Sequence, residues 1–141
     1  MKHILVGTDG SDGAARAVRL AAEIAKCVGG EVLILHVTGA GDLVTEVERI
    51  APQAVGDALD AYAQQILHDA RELAVSLGVT DVRTQAAWGD AAEAVLDTVR
   101  AEHIDIVVVG RRGRGRLSGL LLGSVSQKLA SLAPCVVVIA P

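Results

Sequence analysis

The chain has 141 residues, of which 51% are hydrophobic, and a formal net charge of −4. This length suffices for one hydrophobic core, so we expect a single domain over residues 1–141. The acidic balance argues against a general nucleic-acid surface, which needs excess Lys and Arg to replace the counterions around phosphates. No apolar run approaches the ~18 residues of a membrane-spanning helix. Cys27 and Cys135 form no CxxC pair, so we expect reduced thiols in a cytoplasmic protein.

Short apolar runs recur along the chain and predict five strands. They lie at residues 4–6, 32–35, 82–86, 106–109 and 136–139. Their continuous hydrophobicity is typical of parallel strands that helices cover on both faces.

Between these runs, apolar residues at three- and four-residue spacing predict helices. The first carries an alanine-rich stripe and ends at Gly29, the second spans residues 58–77, the third follows Asp90 as a candidate N-cap, and the fourth starts near Ser124. Residues 38–55 break the pattern, which favours a loop with, at most, a short helical turn. The alternation predicts right-handed crossovers and an open parallel sheet with helices on both faces.

The most informative stretch is residues 110–126, between the fourth predicted strand and the fourth predicted helix. Ligands bind at such junctions because the N–H groups of a helix N-terminus are unpaired and the helix dipole favours an anion. Glycines such as Gly113 and Gly123 let the backbone come close to a phosphate. Ser124 and Ser126 can add hydroxyl groups, so we predict a phosphate site here.

Two other interpretations of this stretch remain open. Ser124 and Gln127 fit a capping box, which needs no ligand. Four arginines at positions 111, 112, 114 and 116 suggest a polyanionic ligand in an acidic chain, but a solvated loop is the alternative. We expect one or two of these arginines at most to touch phosphate. An RNA contact is disfavoured because aromatic stacking partners are missing.

The turn after the first strand, residues 7–11, is a second candidate site. If strands one and four are neighbours whose crossovers go opposite ways, Asp9 faces the glycine loop across the switch-point crevice. Asp9 could then bond a ribose or base, or help to hold a metal ion on the phosphates. The alternative is that Asp9 or Ser11 caps the first helix.

Several other motifs are missing from the sequence. It contains no GxxxxGK[ST] phosphate loop, and its glycines do not fit the dinucleotide pattern GxGxxG. The four histidines form no zinc-ligand cluster, and there is no GxSxG nucleophile elbow.

The glycine spacing resembles a family motif. Gly110, two residues, Gly113, nine residues and Gly123-Ser124 match the G-2x-G-9x-G-[S/T] pattern of ATP-binding universal stress proteins. The resemblance extends to the Asp-Gly-Ser turn after strand one, to His36-Val37 and to residues 133–135. It implies a Rossmann-like, five-stranded sheet of the adenine nucleotide alpha hydrolase type with strand order 3-2-1-4-5. It also implies ATP, possibly with Mg²⁺, bound across the switch point.

Carried over by position, the resemblance implies a set of nucleotide-binding residues. They are Gly7, Thr8, Asp9, Val37, Val109, Gly110, Arg111, Gly113, Gly123, Ser124, Val125 and Ser126. Asp9 and the Val37 backbone would serve the adenosine end, and residues 123–126 the phosphate tail. Family members usually pair through the last strand, which implies a homodimer joined along Val136 to Ile139. The chain departs from many relatives at Val136, where they have proline.

We therefore expect a nucleotide-dependent stress-response or signalling module with little or no catalysis. The sequence offers no assigned general base and no phosphate-loop lysine. One alternative is an ATP-using enzyme, either a slow ATPase or an adenylyl transferase. Another is an interaction protein that no longer binds nucleotide.

Overall fold

The computed structural model describes residues 1–39, 49–111 and 122–141. Strands and helices alternate along these residues. In chain order they are β1 (His3–Gly7), α1 (Asp12–Val28), β2 (Glu31–Thr38), α2 (Pro52–Ser76), β3 (Val82–Trp88), α3 (Ala91–Ala101), β4 (Ile106–Gly110), α4 (Ser124–Leu132) and β5 (Val136–Ala140). Each predicted strand is present.

The strands form one parallel sheet with the order β3-β2-β1-β4-β5. The fold class and strand order expected from the sequence are therefore confirmed. β1 lies between β2 and β4, with Val6 paired to Ile34 on one side and to Val108 on the other. The chain thus winds outward from β1 in one direction and then returns to its other side, which creates a switch point between β1 and β4.

Two apolar layers cover the sheet. Ile4 and Val6 point towards α1 and α2, whereas Leu5, between them, points towards α3 and α4. Because both faces are covered, the central strands are apolar at consecutive positions. The stripe on α1 consists largely of alanines, whose small side chains let the helix approach the sheet closely.

Helix α1 ends as the sequence predicts. Gly29 adopts a left-handed conformation with φ 67°, and its N–H bonds the Ala25 carbonyl. The next residue, Gly30, packs so closely that a Cβ there would lie 2.7 Å from the Lys2 carbonyl oxygen. The short connection between α1 and β2 therefore packs against the residue that precedes β1.

Helix α2 begins earlier than predicted. The expectation of a loop up to residue 55 is wrong from Pro52 onward, because proline occupies the first turn and the helix continues through Gly56. Its buried residues start only at Ala63, and the preceding Tyr62 is half-exposed. The first turns project beyond the core, so they carry no apolar stripe to mark them. Residues 40–48 lie outside the described part of the chain.

Candidate functional site

The candidate residues gather at the carboxyl ends of β1 and β4. These strands are direct neighbours, paired from Ile4 with Ile106 to Val6 with Val108. The neighbour relation that the sequence left open is therefore confirmed. The turn after Gly7 and the segment after Gly110 both leave the sheet at this point, as a switch-point site requires.

The turn after β1 is held by its own polar groups. The Asp9 carboxylate accepts a hydrogen bond from the Ser11 N–H at 2.9 Å, and the Thr8 hydroxyl accepts one from the Gly10 N–H at 3.2 Å. Gly10 has φ 81°, a backbone conformation that residues with a side chain rarely adopt. Ser11 caps α1, because its hydroxyl oxygen accepts a bond from the Ala14 N–H at 3.2 Å. The capping alternative is thus correct for Ser11, while Asp9 shapes the turn that precedes it.

The two ends of the glycine-rich segment meet beside β5. The Arg111 N–H donates to the Ala140 carbonyl at 2.7 Å, and the Gly123 N–H donates to the Arg111 carbonyl at 2.8 Å. Gly113, Arg112, Arg114 and Arg116 lie outside the described residues. These two hydrogen bonds hold together the two ends of the segment, where β4 ends and α4 begins.

Helix α4 begins without a side-chain cap. Gly123 is its N-cap, with φ −78° and ψ 174°, and the Gln127 N–H makes the first intrahelical bond, to the Gly123 carbonyl. The N–H groups of Ser124, Val125 and Ser126 consequently have no acceptor within the helix. The helix dipole adds a partial positive charge at the same point. This end of α4 can therefore bind an anion.

The capping box suggested by the sequence is wrong. Ser124 is the first residue of α4 rather than its N-cap, and it is exposed. The Gln127 side chain instead donates from Nε2 to the Leu122 carbonyl at 3.0 Å. No side-chain cap therefore occupies the N–H groups at the start of α4, and they remain available to a ligand.

Ser126 differs from Ser124 in its surroundings. It is buried, and its hydroxyl donates to the Arg111 carbonyl at 2.8 Å and lies 3.1 Å from the Gly123 carbonyl. These contacts connect the first turn of α4 to the end of β4. The Ser126 hydroxyl would have to turn away from them to donate to a phosphate, whereas its main-chain N–H would not.

Val37 lies near the end of β2, half-buried against the α3 and α4 side of the core. The preceding residue, His36, is almost fully buried, and its Nδ1 lies 2.9 Å from the Thr8 carbonyl oxygen. In the sequence, His36 contributes to the family resemblance but carries no predicted role. Its position directly after the apolar run 32–35 was the available signal, since a histidine buried in a strand needs a hydrogen-bond partner.

A cleft of about 340 Å³ opens between α1 and α2, beside the turn after β1. Thr8, Gly10 and Ser11, which follow the central strand β1, line one part of it, and Tyr62 and Ile66 line the α2 side. Thr8 therefore contributes both to this cleft and to the turn that carries Asp9.

In the part of the chain that the structure describes, the ionisable groups with shifted pKa values lie at the opposite, amino end of the sheet. The pKa of Glu31 is lowered, first by a hydrogen bond with His3 Nδ1 at 2.6 Å and then by the nearby Arg83 guanidinium. The pKa of Asp105 is lowered chiefly by the hydrogen bond that its carboxylate accepts from the His3 N–H. These pairs join the starts of neighbouring strands, so they serve the fold and lie away from the candidate site.

The universal stress protein family model matches residues 1–141 of this chain. The chain belongs to the universal stress protein family. A universal stress protein of Thermus aquaticus is 32% identical over 143 residues, which cover 98% of this chain and 97% of that protein.

Solved structures of universal stress proteins share the fold. UspA from Lactobacillus plantarum superposes with a TM-score of 0.85 at 22% identity, covering 99% of this chain and 97% of its own. A universal stress protein in complex with cAMP has a TM-score of 0.76 at 28% identity, covering 99% of this chain and 97% of its own.

The described candidate residues of this universal stress protein thus form two groups. One group, on the strand ends and the turn after β1, comprises Gly7, Thr8, Asp9, Val37, Val109, Gly110 and Arg111; the other, at the start of α4, comprises Gly123, Ser124, Val125 and Ser126. Hydrogen bonds between Arg111 and both Gly123 and Ser126 link the two groups. Their contact with a nucleotide stays a prediction.

Among the described residues, none of the helices combines the length and the hydrophobicity that crossing a membrane requires.

Proposed function

We propose that this universal stress protein binds ATP, with Mg²⁺, between the turn after β1 and the start of α4. The observation that carries the proposal is the uncapped N-terminus of α4, where the Ser124, Val125 and Ser126 N–H groups have no intrahelical acceptor. Main-chain N–H groups at such a terminus suit the negative oxygens of a phosphate. The cAMP bound by a structural neighbour supports an adenine nucleotide as the ligand class.

The residues of the site fit such a ligand. Phosphate would lie on the first turn of α4, adenosine would lie towards Asp9 and Val37, and Arg111 would add positive charge at the end of β4. Oxygen ligands suit Mg²⁺, and the Asp9 carboxylate is the candidate protein ligand. Bound Mg²⁺ would neutralise part of the phosphate charge.

We place this protein among nucleotide-responsive modules rather than efficient enzymes. One Asp9 oxygen accepts the Ser11 N–H and so holds the turn in shape. That engagement suits a positioning role better than the proton transfer that rapid hydrolysis requires. Occupancy of the site would then signal by altering contacts with a partner.

The exposed edge of β5 supports a homodimer as part of the proposal. Val136 is 59% exposed and Leu132, at the end of α4, is 55% exposed. An apolar edge strand invites pairing with another chain, and a second copy would cover it along Val136 to Ile139.

We assign the module, as a single domain, to the cytoplasm, where Cys27 and Cys135 would remain the free thiols that they are in the structure.

Thermal unfolding with and without Mg-ATP tests the nucleotide site. Ligand at about 100 times its dissociation constant should stabilise the protein by roughly 2.7 kcal/mol. Gly123→Val should abolish this gain because its side chain would crowd the phosphate, while its extended backbone accommodates valine. Gly56→Val is the matched control, since a Cβ at this helical position meets nothing within 4 Å.

Two results would contradict the proposal. One is a full ATP-dependent gain in the Gly123→Val variant, which would remove the start of α4 from the site. The other is a wild-type protein that ATP does not stabilise and that releases no adenine nucleotide when the purified material is denatured.

A further inference from the structure

His36 lies in β2 and is only 5% exposed. Its Nδ1 atom is 2.9 Å from the Thr8 carbonyl oxygen. A carbonyl oxygen can only accept a hydrogen bond, so the imidazole donates and Nδ1 carries the proton. His36 thereby connects β2 to the first residue beyond β1.

This bond takes the place of a main-chain bond. The pairing of β1 with β2 ends at Gly7 and Leu35, and the Thr8 N–H still donates to the Leu35 carbonyl at 2.9 Å. In a continuing parallel ladder, the next bond would run from the Val37 N–H to the Thr8 carbonyl. Among the described residues, that carbonyl receives the imidazole of His36 instead.

The substitution has a consequence for Val37. Main-chain polar groups of alternate strand residues point to the same side, so those of Val37 point towards β1, as the Leu35 carbonyl does. β1 ends at Gly7, and among the described residues no main-chain bond after that of the Thr8 N–H joins the following turn to β2. The main-chain polar groups of Val37 therefore face the crevice and not a paired residue of β1.

The side chain of Tyr62 completes the surroundings of His36. Its ring meets the imidazole edge-on, with centroids 6.3 Å apart and an interplanar angle of 78°. Tyr62 projects from α2 and also lines the cleft beside Thr8. It packs against the imidazole from α2 and so limits the rotation of the ring.

We propose that His36 is a positioning residue for the nucleotide site. By donating from Nδ1 to the Thr8 carbonyl, it fixes where the turn bearing Asp9 leaves the sheet. The Thr8 carbonyl, held towards the imidazole, makes no bond with the Val37 N–H, which is directed at the ligand. The ligand part of this inference rests on the proposed nucleotide binding, whereas the control of the turn does not.

Two matched variants separate this role from simple core packing. The amide nitrogen of asparagine can occupy about the place of Nδ1, whereas that of glutamine reaches the place of Nε2. We expect His36→Asn to bind Mg-ATP within about threefold of wild type and His36→Gln to bind at least about tenfold more weakly, by titration calorimetry. Tyr62→Phe keeps the ring contact and should bind as wild type does.

Nuclear magnetic resonance of the nucleotide-free protein supplies the second measurement. Nitrogen shifts of the imidazole should show that Nδ1 carries a proton. The amide signals of Asp9 and Gly10 should move in His36→Gln and stay near their wild-type positions in His36→Asn.

An Nδ1 atom without a proton in the wild-type protein would overturn the inference without any variant, as would equal ATP affinities for the two variants. If wild-type protein binds no nucleotide, the proposed function fails, and the Nδ1 proton and the Asp9 and Gly10 signals alone decide whether His36 positions the turn.

Discussion

The Ser126 hydroxyl lies 2.8 Å from the Arg111 carbonyl oxygen and donates a hydrogen bond to it, across the two ends of the glycine-rich segment. The Arg111 carbonyl also accepts the Gly123 N–H at 2.8 Å. The end of β4 and the first turn of α4 are therefore tied together before any ligand arrives.

Ser126→Ala should lower the free energy of unfolding by about 1 kcal/mol in the absence of nucleotide, the usual contribution of one internal hydrogen bond. Ser124→Ala should cost less than about 0.5 kcal/mol, because Ser124 is exposed and is not the N-cap. Urea unfolding of both variants measures the difference. Equal losses would show that the buried hydroxyl contributes nothing special to the base of the segment.

Two glycines should differ in how much stability is lost when alanine replaces them. A Cβ on Gly7 would lie 3.5 Å from Val109 Cγ1, an ordinary contact, whereas one on Gly30 would lie 2.7 Å from the Lys2 carbonyl oxygen. We expect Gly7→Ala to remain within about 1 kcal/mol of wild type and Gly30→Ala to lose about 1–3 kcal/mol. Thermal unfolding provides the comparison. A weaker affinity for Mg-ATP in a stable Gly7→Ala protein would additionally place this strand end against the ligand.

Glu31 should make stability depend on pH in the acid range. Because the folded protein lowers the pKa of Glu31 below its usual 4.5, the native state holds fewer protons at this carboxyl than the unfolded chain. Its stabilising contribution is complete above the ordinary pKa and is lost as pH falls through the lower native value. Wild type should therefore lose more stability than Glu31→Gln between about pH 5 and 3, in denaturant titrations across that range. Glu72→Gln, at an exposed position on α2, is the control, and identical pH profiles for Glu31→Gln and wild type would contradict the assignment.

The proposed dimer should depend on Val136. A lysine there adds charge to an edge strand without entering the core, because the side chain is 59% exposed. We expect light scattering to give a dimer mass for wild type and a monomer mass for Val136→Lys. Val28→Lys changes an exposed valine at the end of α1 and should leave the dimer intact. A dimer that survives Val136→Lys with unchanged affinity would exclude this part of the β5 edge.

Local sequence patterns located most elements, and their failures have physical causes. The stripe on α1 and the cap at Asp90, whose carboxylate accepts the Glu93 N–H at 3.0 Å, were both predictable because they depend on neighbours within one helix. The start of α2 at Pro52 was missed because its first turns bury no apolar face. Ser124 looked like a cap by spacing, but the start of α4 is set by Gly123 and by the bond from Gly123 to distant Arg111.

The sequence by itself determined the alternation of strand and helix, the glycine spacing and the polar residues of the turn at 7–11 and of the helix start at 123–126. Each of these features depends on residues that are close together along the chain. Only the tertiary structure decided that β1 and β4 are neighbours, that the Ser126 hydroxyl donates to the Arg111 carbonyl and that the His36 imidazole donates to the Thr8 carbonyl. Those contacts join residues far apart in the chain. They form only when the sheet has assembled, because packing and register then select one partner among many chemically equivalent ones.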